Sequence, residues 1–115
     1  MKLLNTYELE IKKSKFIAYY YDIETKEEVK EIHEILKKEH KKARHIPYAF
    51  RTFNTAGRSD DKEPSGTSGA PILLNLERKD KVNKAIFVVR YFGGIKLGAG
   101  GLLRAYSNAS KNVII

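Results

Sequence analysis

A nearly continuous apolar run, AIFVVRYF at residues 85–92, constrains the fold of this chain more than any other stretch of its sequence. Runs of this length without polar alternation are typical of a buried strand at the centre of a sheet. Five of the chain's eight glycines follow at residues 93–101, and apolar residues at helical spacing then predict a helix from about residue 101. Because glycine inside a regular element costs stability, the cluster indicates either a ligand loop or a sharp turn.

The first 45 residues predict a hairpin and a helix. Residues 7–11 alternate between apolar and charged side chains, and residues 16–21 are aromatic and β-favouring, which indicates two paired strands. We expect the turn between them at residues 14–15. Thr25 followed by Glu28 is a capping box, and the apolar stripe behind it predicts a helix that ends near residue 40.

The middle of the chain predicts a strand, a loop and a second helix. Residues 46–53 alternate as a strand, residues 54–69 are polar and read as a long functional or mobile loop, and Pro71 suits the first turn of a helix. The whole order predicts an α+β fold, an α/β two-layer sandwich with one mixed sheet of about four strands and its helices on one face. We expect a single domain over residues 1–115.

Net charge and composition limit the classes of function that this chain can have. The chain has no cysteine and carries a net charge of +8, most of it in residues 51–115. A basic surface attracts polyanions such as RNA, anionic lipid or acidic proteins, although solubility alone also accounts for it. No apolar stretch approaches the length of a membrane helix, and the N-terminus alternates like a strand rather than forming a signal peptide. We therefore expect a cytoplasmic protein that does not enter membranes.

The glycine loop has two chemical interpretations. Free N–H groups at a helix start bind anions where no side chain blocks the approach, and Lys96 and Arg104 add positive charge nearby. The standard phosphate fingerprints are missing, however, since GAGGLL lacks the last glycine of the dinucleotide motif and no GK[ST] follows. The alternative is that the glycines only permit tight packing of the backbone.

Arg90 lies in the apolar run and needs a carboxylate if it points inward, because an unpaired buried charge is very costly. Asp60, Asp61 and Glu63 are the candidates, and this pairing would pin the acidic loop against the glycine loop. Mg²⁺ binding by these acids is the weaker interpretation, so we expect neither a metal nor a cofactor.

The serine and histidine residues are further candidates for chemistry. Ser65 and Ser68 do not form the nucleophile elbow, and capping of a helix by Ser68 accounts better for its position. His33 is expected to be structural and His40 solvated. His45, which precedes a strand, is the histidine that we would test for function.

Several aromatic and basic residues form the mixture that proteins use to stack and neutralise nucleic acid. The mixture is unspecific, because most of these aromatics also suit a core. Its members are Tyr48, Phe53, Tyr91, Phe92 and Tyr106, with Arg51, Arg58, Arg90, Lys96 and Arg104.

Four segments resemble the YigZ/IMPACT family: SKFIAYY (14–20), ARHIPYAF (43–50), DDKEPSGTSGAPIL (60–73) and VVRYFGGIKLGAGGLLRAY (88–106). The resemblance implies the family's N-terminal domain, a left-handed βαβ fold also found in the second domain of a small-subunit ribosomal protein. Many members of the family continue into a small ferredoxin-like second domain, which we expect to be absent from this chain. Lys62, in place of the usual glycine, and Pro47 depart from the family's pattern.

The resemblance implies that the residues matching the family's motifs are binding residues in this chain. They are His45, Tyr48, Asp60, Asp61, Glu63, Ser65, Arg90, Tyr91, Gly93, Gly94, Lys96, Gly98, Gly100, Gly101, Arg104 and Tyr106.

Together, these features predict a non-catalytic cytoplasmic module that binds RNA or ribosome-associated partners and regulates translation, as the resemblance implies for the eukaryotic branch. One alternative is an enzyme or sensor that binds a nucleotide or phosphorylated metabolite at the glycine loop. The other is a protein–protein adaptor that uses Arg104, Tyr106 and residues 37–45.

Overall fold

The computed structural model describes all of residues 1–115, and a five-stranded sheet lies at its centre. In chain order, the elements are β1 Lys2–Ile11, β2 Ser14–Asp22, α1 Glu27–Glu39, β3 Tyr48–Arg51, β4 Ala56–Ser59, α2 Gly69–Arg78, β5 Lys84–Tyr91 and α3 Gly98–Val113. The strands lie in the order β1-β2-β5-β3-β4, and every neighbouring pair is antiparallel. The α+β class is confirmed, but the mixed sheet of about four strands is corrected to an antiparallel sheet of five.

The additional strand, β4, lies within residues 54–69, where the sequence predicted only a loop. It pairs with β3 through Ala49 and Arg58 and forms one edge of the sheet. Its sequence, AGRS, contains no large apolar residue, so no period-two pattern announces it. Short edge strands with charged residues are a common way to protect a sheet from pairing with other chains.

The central position predicted for the apolar run is confirmed, because β5 lies between β2 and β3. Its alternate residues pack into two different cores. Ile86 and Val88 belong to the core beneath α2 and α3, whereas Phe87 and Val89 belong to the core beneath α1. The prediction that all helices lie on one face is therefore wrong, and the physical reason is the run itself, since a strand that is apolar on both faces needs cover on both.

The connections form two βαβ units. Since β2 and β3 both run antiparallel to β5, they are parallel to each other, and α1 joins them. By the same reasoning β4 and β5 are parallel, with β3 between them and α2 as the connection. None of the three helices combines the length and apolar character needed to cross a bilayer.

Two local predictions are corrected. The hairpin turn lies at Lys12 and Lys13, which both have positive φ, and not at residues 14–15, which already belong to β2. This is the backbone geometry that suits a two-residue hairpin. The capping box does not form, because Lys26 takes the N-cap position and the Glu28 carboxylate accepts a hydrogen bond from the backbone N–H of Glu24.

Candidate anion-binding site

A buried clasp of three residues joins the acidic loop to the sheet and to α3: Glu63, Arg90 and Tyr106. Arg90 lies on β5, and its Nη1 donates to both Glu63 carboxylate oxygens at 2.9 and 2.8 Å. The Tyr106 hydroxyl, on α3, donates to the same carboxylate. Arg90 and Glu63 are each 6% exposed, so the ion pair is shielded from water. The predicted pairing of Arg90 with the acidic loop is confirmed, with Glu63 as the partner.

The electrostatics of the clasp fix the role of its phenol. Burial, and then the charge of the nearby Glu63, raise the pKa of Tyr106 far above its ordinary value. The hydroxyl therefore stays protonated and donates. Removing two charges from water is costly, and this second donor helps to satisfy the Glu63 carboxylate. The Arg90 guanidinium also lies 5.8 Å from the Phe16 ring centre and 5.6 Å from that of Phe92.

Arg90 has one buried N–H donor without an acceptor. Both of its side-chain hydrogen bonds come from Nη1, and its Nε is buried without any partner. Buried polar groups nearly always have a partner in native structures, so an unpartnered guanidinium N–H calls for an explanation.

His45 lies beside the clasp. Its Nδ1 is 2.8 Å from the backbone oxygen of Asp61, and a carbonyl oxygen can only accept, so Nδ1 carries the proton of the neutral ring. Nε2 then lies 3.6 Å from a Glu63 carboxylate oxygen. The backbone of His45 bridges to Arg90 across the sheet. The histidine selected from the sequence is thus held against the ion pair.

Asp60 organises the loop that carries Glu63. Its carboxylate accepts from the N–H groups of Gly66 and Gly69 at 3.0 and 2.9 Å, and from the Ser68 hydroxyl at 2.9 Å. Burial alone would raise the pKa of Asp60, but these donors outweigh it and lower the pKa below its ordinary value. The predicted capping of α2 by Ser68 is corrected. Ser68 occupies the N-cap position without a side-chain cap bond, and Asp60 supplies the acceptor.

The Asp61 carboxylate contacts a different set of groups from that of Asp60. Its Oδ2 accepts from the Ile46 backbone N–H at 2.7 Å and lies 3.9 Å from His33 Nε2. The three acids therefore point to three separate sets of protein donors. No group of three or more histidine, aspartate or glutamate side chains is arranged to hold a metal ion.

A pocket of about 360 Å³ opens where α3 begins. No side chain caps this helix, and its first turn contains no acidic residue. The first N–H groups of an α-helix have no acceptor within the helix, and they carry the positive end of its dipole. The pocket is lined by Arg44, His45, Glu63, Pro64, Arg90, Phe92, Lys96, Leu97, Gly98, Ala99 and Leu102.

The glycines of the loop divide into two kinds. A side chain on Gly93 would overlap the backbone carbonyl of Lys13 in the β1–β2 turn, so tight packing explains this glycine. Gly98, the first residue of α3, has φ +73° and nothing within 4 Å of where a side chain would begin. Tight packing therefore accounts for Gly93, whereas Gly98 leaves the space before the helix start open.

A second pocket of about 390 Å³ adjoins the first. The two pockets share Arg44 and His45, and the second adds Lys41 and Lys62. Basic side chains thus continue from the end of α1 to the start of α3. In the sequence analysis, residues 37–45 belong only to the adaptor alternative, and Arg44 is not among the predicted binding residues. The available signal was its position directly before His45.

The remaining sequence-predicted site residues lie elsewhere. Tyr48 packs against His33 and Phe87 on the α1 face of the sheet. Tyr91 bonds through its hydroxyl to His40, which is correspondingly not the freely solvated residue that was expected. Ser65 and Gly94 are exposed and line neither pocket.

Three further predicted site residues belong to α3. Gly100 and Gly101 lie in its first turn. Arg104 lines a different groove, of about 660 Å³ between α2 and α3, together with Arg58 and Leu103. The structure therefore gathers only part of the predicted set around the start of α3: His45, Glu63, Arg90, Lys96, Gly98 and Tyr106.

The chain is an α+β domain in which a buried Arg–Glu–Tyr clasp underlies an uncapped helix start. The model of the Impact N-terminal domain matches residues 12–114, so the chain belongs to the IMPACT family. It is 39% identical over 112 residues to IMPACT family member YvyE of Bacillus subtilis, covering 95% of this chain and 52% of that protein. It is 41% identical over 102 residues to IMPACT family member YigZ of Escherichia coli, covering 84% and 50% respectively. The chain thus spans about half the length of these curated relatives.

Two solved structures share the fold. A hypothetical protein matches with a TM-score of 0.91 and 38% identity, covering 95% of this chain and 55% of that chain. The two-domain translational regulator Yih1 matches with a TM-score of 0.57 and 23% identity, covering 94% of this chain and 43% of that chain.

Proposed function

We propose that this chain is an RNA-binding module with a translation-related role, and that it binds RNA along the two adjoining pockets. The observation that carries the proposal is a group of four cations around them: Lys41, Arg44, Lys62 and Lys96. None of the four takes part in the ion pairs of the structure. Cations without a carboxylate partner in the protein are available to phosphates, and phosphate contacts dominate affinity for nucleic acid.

An aromatic side chain lies beside these cations. Phe92 is 37% exposed, and the Arg44 guanidinium lies 4.9 Å from its ring centre. Aromatic rings beside a positively charged groove are the usual means of holding single-stranded nucleic acid, because every base has a face that can stack. This arrangement favours single strands or loops over a regular duplex.

The translation-related part of the proposal draws on the family. Yih1, which shares the fold, is described as a translational regulator. RNA and ribosome-associated proteins are both compatible with such a role, and a surface of cations without ion-pair partners suits RNA.

A filter-binding titration with single-stranded and structured RNA at several salt concentrations tests the proposal. We expect the logarithm of affinity to fall linearly with that of salt. The double change Lys41→Gln, Lys96→Gln should reduce the slope by about 0.7 for each phosphate that the variant no longer neutralises. Lys2→Gln, Lys30→Gln is the matched control, because both lysines are exposed and neither lines the two pockets.

Two results would contradict the proposal. One is the absence of salt-sensitive binding at concentrations below about 100 μM, the weak end of non-specific affinity. The other is an equal reduction in the control variant, which would mean that net charge alone attracts RNA and that the pockets play no part.

A further inference from the structure

We propose that the pocket at the start of α3 holds a phosphate monoester, so that the chain prefers RNA with a terminal phosphate over RNA that ends in hydroxyls. This inference rests on the proposed RNA binding and deepens it. It follows from the donors, the charge and the partial burial of the pocket lining.

The first set of donors is the uncapped start of α3. The helix has 16 residues, its side chains supply no cap, and Gly98 leaves the approach open. Its leading N–H groups point along the helix axis at whatever occupies the space before it, which favours an anion.

The second donor is independent of the helix. Arg90 lines the same pocket and is 6% exposed, yet it uses only Nη1 on Glu63, and its buried Nε has no partner. Nη2 makes no hydrogen bond either and is not among the buried unpartnered atoms, so the guanidinium keeps a second donor nitrogen that is not fully buried. A planar guanidinium with a free edge suits the oxygens of a phosphate.

The charge of the lining fits a dianion. Arg44, Arg90 and Lys96 contribute three positive charges and Glu63 one negative charge, which leaves a net charge of two when His45 is neutral. A phosphate monoester carries about −1.5 to −2 at pH 7. A phosphodiester within a strand carries only one negative charge and would leave the lining partly uncompensated.

The burial of part of the lining favours a chain end. Among the lining residues, Arg90 and Glu63 are almost fully buried, while Phe92 is exposed. A terminal phosphate is attached through a single oxygen and can reach inward with three free oxygens. An internal phosphate must leave room for the strand on both sides, which a pocket of about 360 Å³ restricts.

Fluorescence anisotropy with one RNA sequence in three forms tests this inference: with a 5′-phosphate, with a 3′-phosphate and with hydroxyls at both ends. We expect at least one phosphorylated form to bind roughly tenfold tighter than the hydroxyl form, the size expected for one or two charge-assisted hydrogen bonds. Uridine 5′-monophosphate and inorganic phosphate serve as competitors and separate an RNA end from a free phosphorylated metabolite.

A charge placed at the helix start provides the decisive variant. Ala99 lies in the first turn of α3, lines the pocket and is exposed, so Ala99→Asp is compatible with folding. An aspartate there also suits the helix dipole but repels a phosphate. We expect it to abolish the preference for phosphorylated RNA, and the nearly isosteric Ala99→Asn, compared directly, separates the effect of charge from that of size.

The outcomes separate this inference from the proposed function. Equal affinity for all three RNA forms overturns the monoester pocket and leaves RNA binding intact. Tight binding of uridine 5′-monophosphate together with no RNA binding supports the monoester pocket and overturns the RNA proposal. An equal effect of Ala99→Asp and Ala99→Asn on the preference contradicts an anion at the helix start.

Discussion

Glu63 is a buried carboxylate that receives hydrogen bonds from Arg90 and Tyr106, residues that lie 27 and 43 positions along the chain. At the scale of single residues, these bonds decide the geometry of the site, because they hold the acidic loop, β5 and α3 at fixed distances. A buried acceptor that loses a donor keeps its desolvation cost without compensation. The clasp is therefore the part of the molecule most sensitive to the removal of one polar atom.

Two buried tyrosines make this sensitivity measurable. Tyr106 is 0% exposed and donates to Glu63, whereas Tyr20 is 1% exposed and its hydroxyl has no partner. We expect Tyr106→Phe to lower the free energy of unfolding by about 1–3 kcal/mol, and Tyr20→Phe to leave it unchanged or raise it by up to about 1 kcal/mol. Burial raises the pKa of Tyr20 to about 12, which agrees with a hydroxyl that gains nothing from its surroundings.

Urea denaturation of both variants and the wild type measures the difference. The two substitutions remove the same atom from equally buried rings, so packing losses cancel in the comparison. Equal destabilisation by Tyr106→Phe and Tyr20→Phe would show that the hydroxyl of the clasp contributes nothing.

At the scale of elements, the start of α2 is fixed by a carboxylate that lies outside the helix. Asp60 follows β4 directly and accepts from Gly66, Ser68 and Gly69, so it ties the end of the strand to the first turn of the helix. The turn that presents Glu63 to the clasp lies between Asp60 and Gly66. Removal of this acceptor is expected to loosen the loop and the helix start together.

A pH series tests the contribution of Asp60. At pH 7 we expect Asp60→Asn to lower the free energy of unfolding by about 1–2 kcal/mol, the usual size of a helix-cap deletion. Because its folded-state pKa is lowered, the contribution is complete above the unfolded pKa of about 3.9 and is lost as the pH falls through the lower folded value. The wild type and the variant should therefore converge in acid. A difference between them that does not depend on pH would contradict this role.

Local patterns in the sequence predicted the long elements and one long-range contact. The apolar run identified β5 as central, helical spacing identified α1 and α3, and the cost of an unpaired buried charge led from Arg90 to the acidic loop. β4 could not be predicted, since AGRS has neither apolar alternation nor β-branched residues. Its pairing depends on β3, which is a tertiary property.

The extent of the site was predicted less well, for a related reason. Motif residues such as Tyr48 and Arg104 were assigned to one site, but they lie on the α1 face of the sheet and in the α2–α3 groove. Which face a helix covers depends on topology, and the sequence interpretation placed all helices on one side. Arg44 was missed although it lies in the segment ARHIPYAF, because its place in both pockets depends on its neighbours in space.

At the scale of the whole molecule, the site forms where several connections meet at one end of the sheet. The segment before β3 supplies His45, the loop after β4 supplies Glu63, and the end of β5 supplies Arg90. No single one of these segments forms the pocket. Binding and folding should therefore be lost together in variants that break the clasp, and variants at the rim separate the two.

The most direct test of the anion-binding site is an NMR titration of the ¹⁵N-labelled chain with a short 5′-phosphorylated RNA. We expect saturable shifts that are largest for the backbone amides of Gly98, Ala99 and Gly100 and for the Arg90 Nε–H, and smaller shifts with the same RNA ending in a hydroxyl. Shifts confined to the α2–α3 groove around Leu74 and Leu103, with the Gly98–Gly100 amides and Arg90 unchanged, would contradict an anion site at the start of α3.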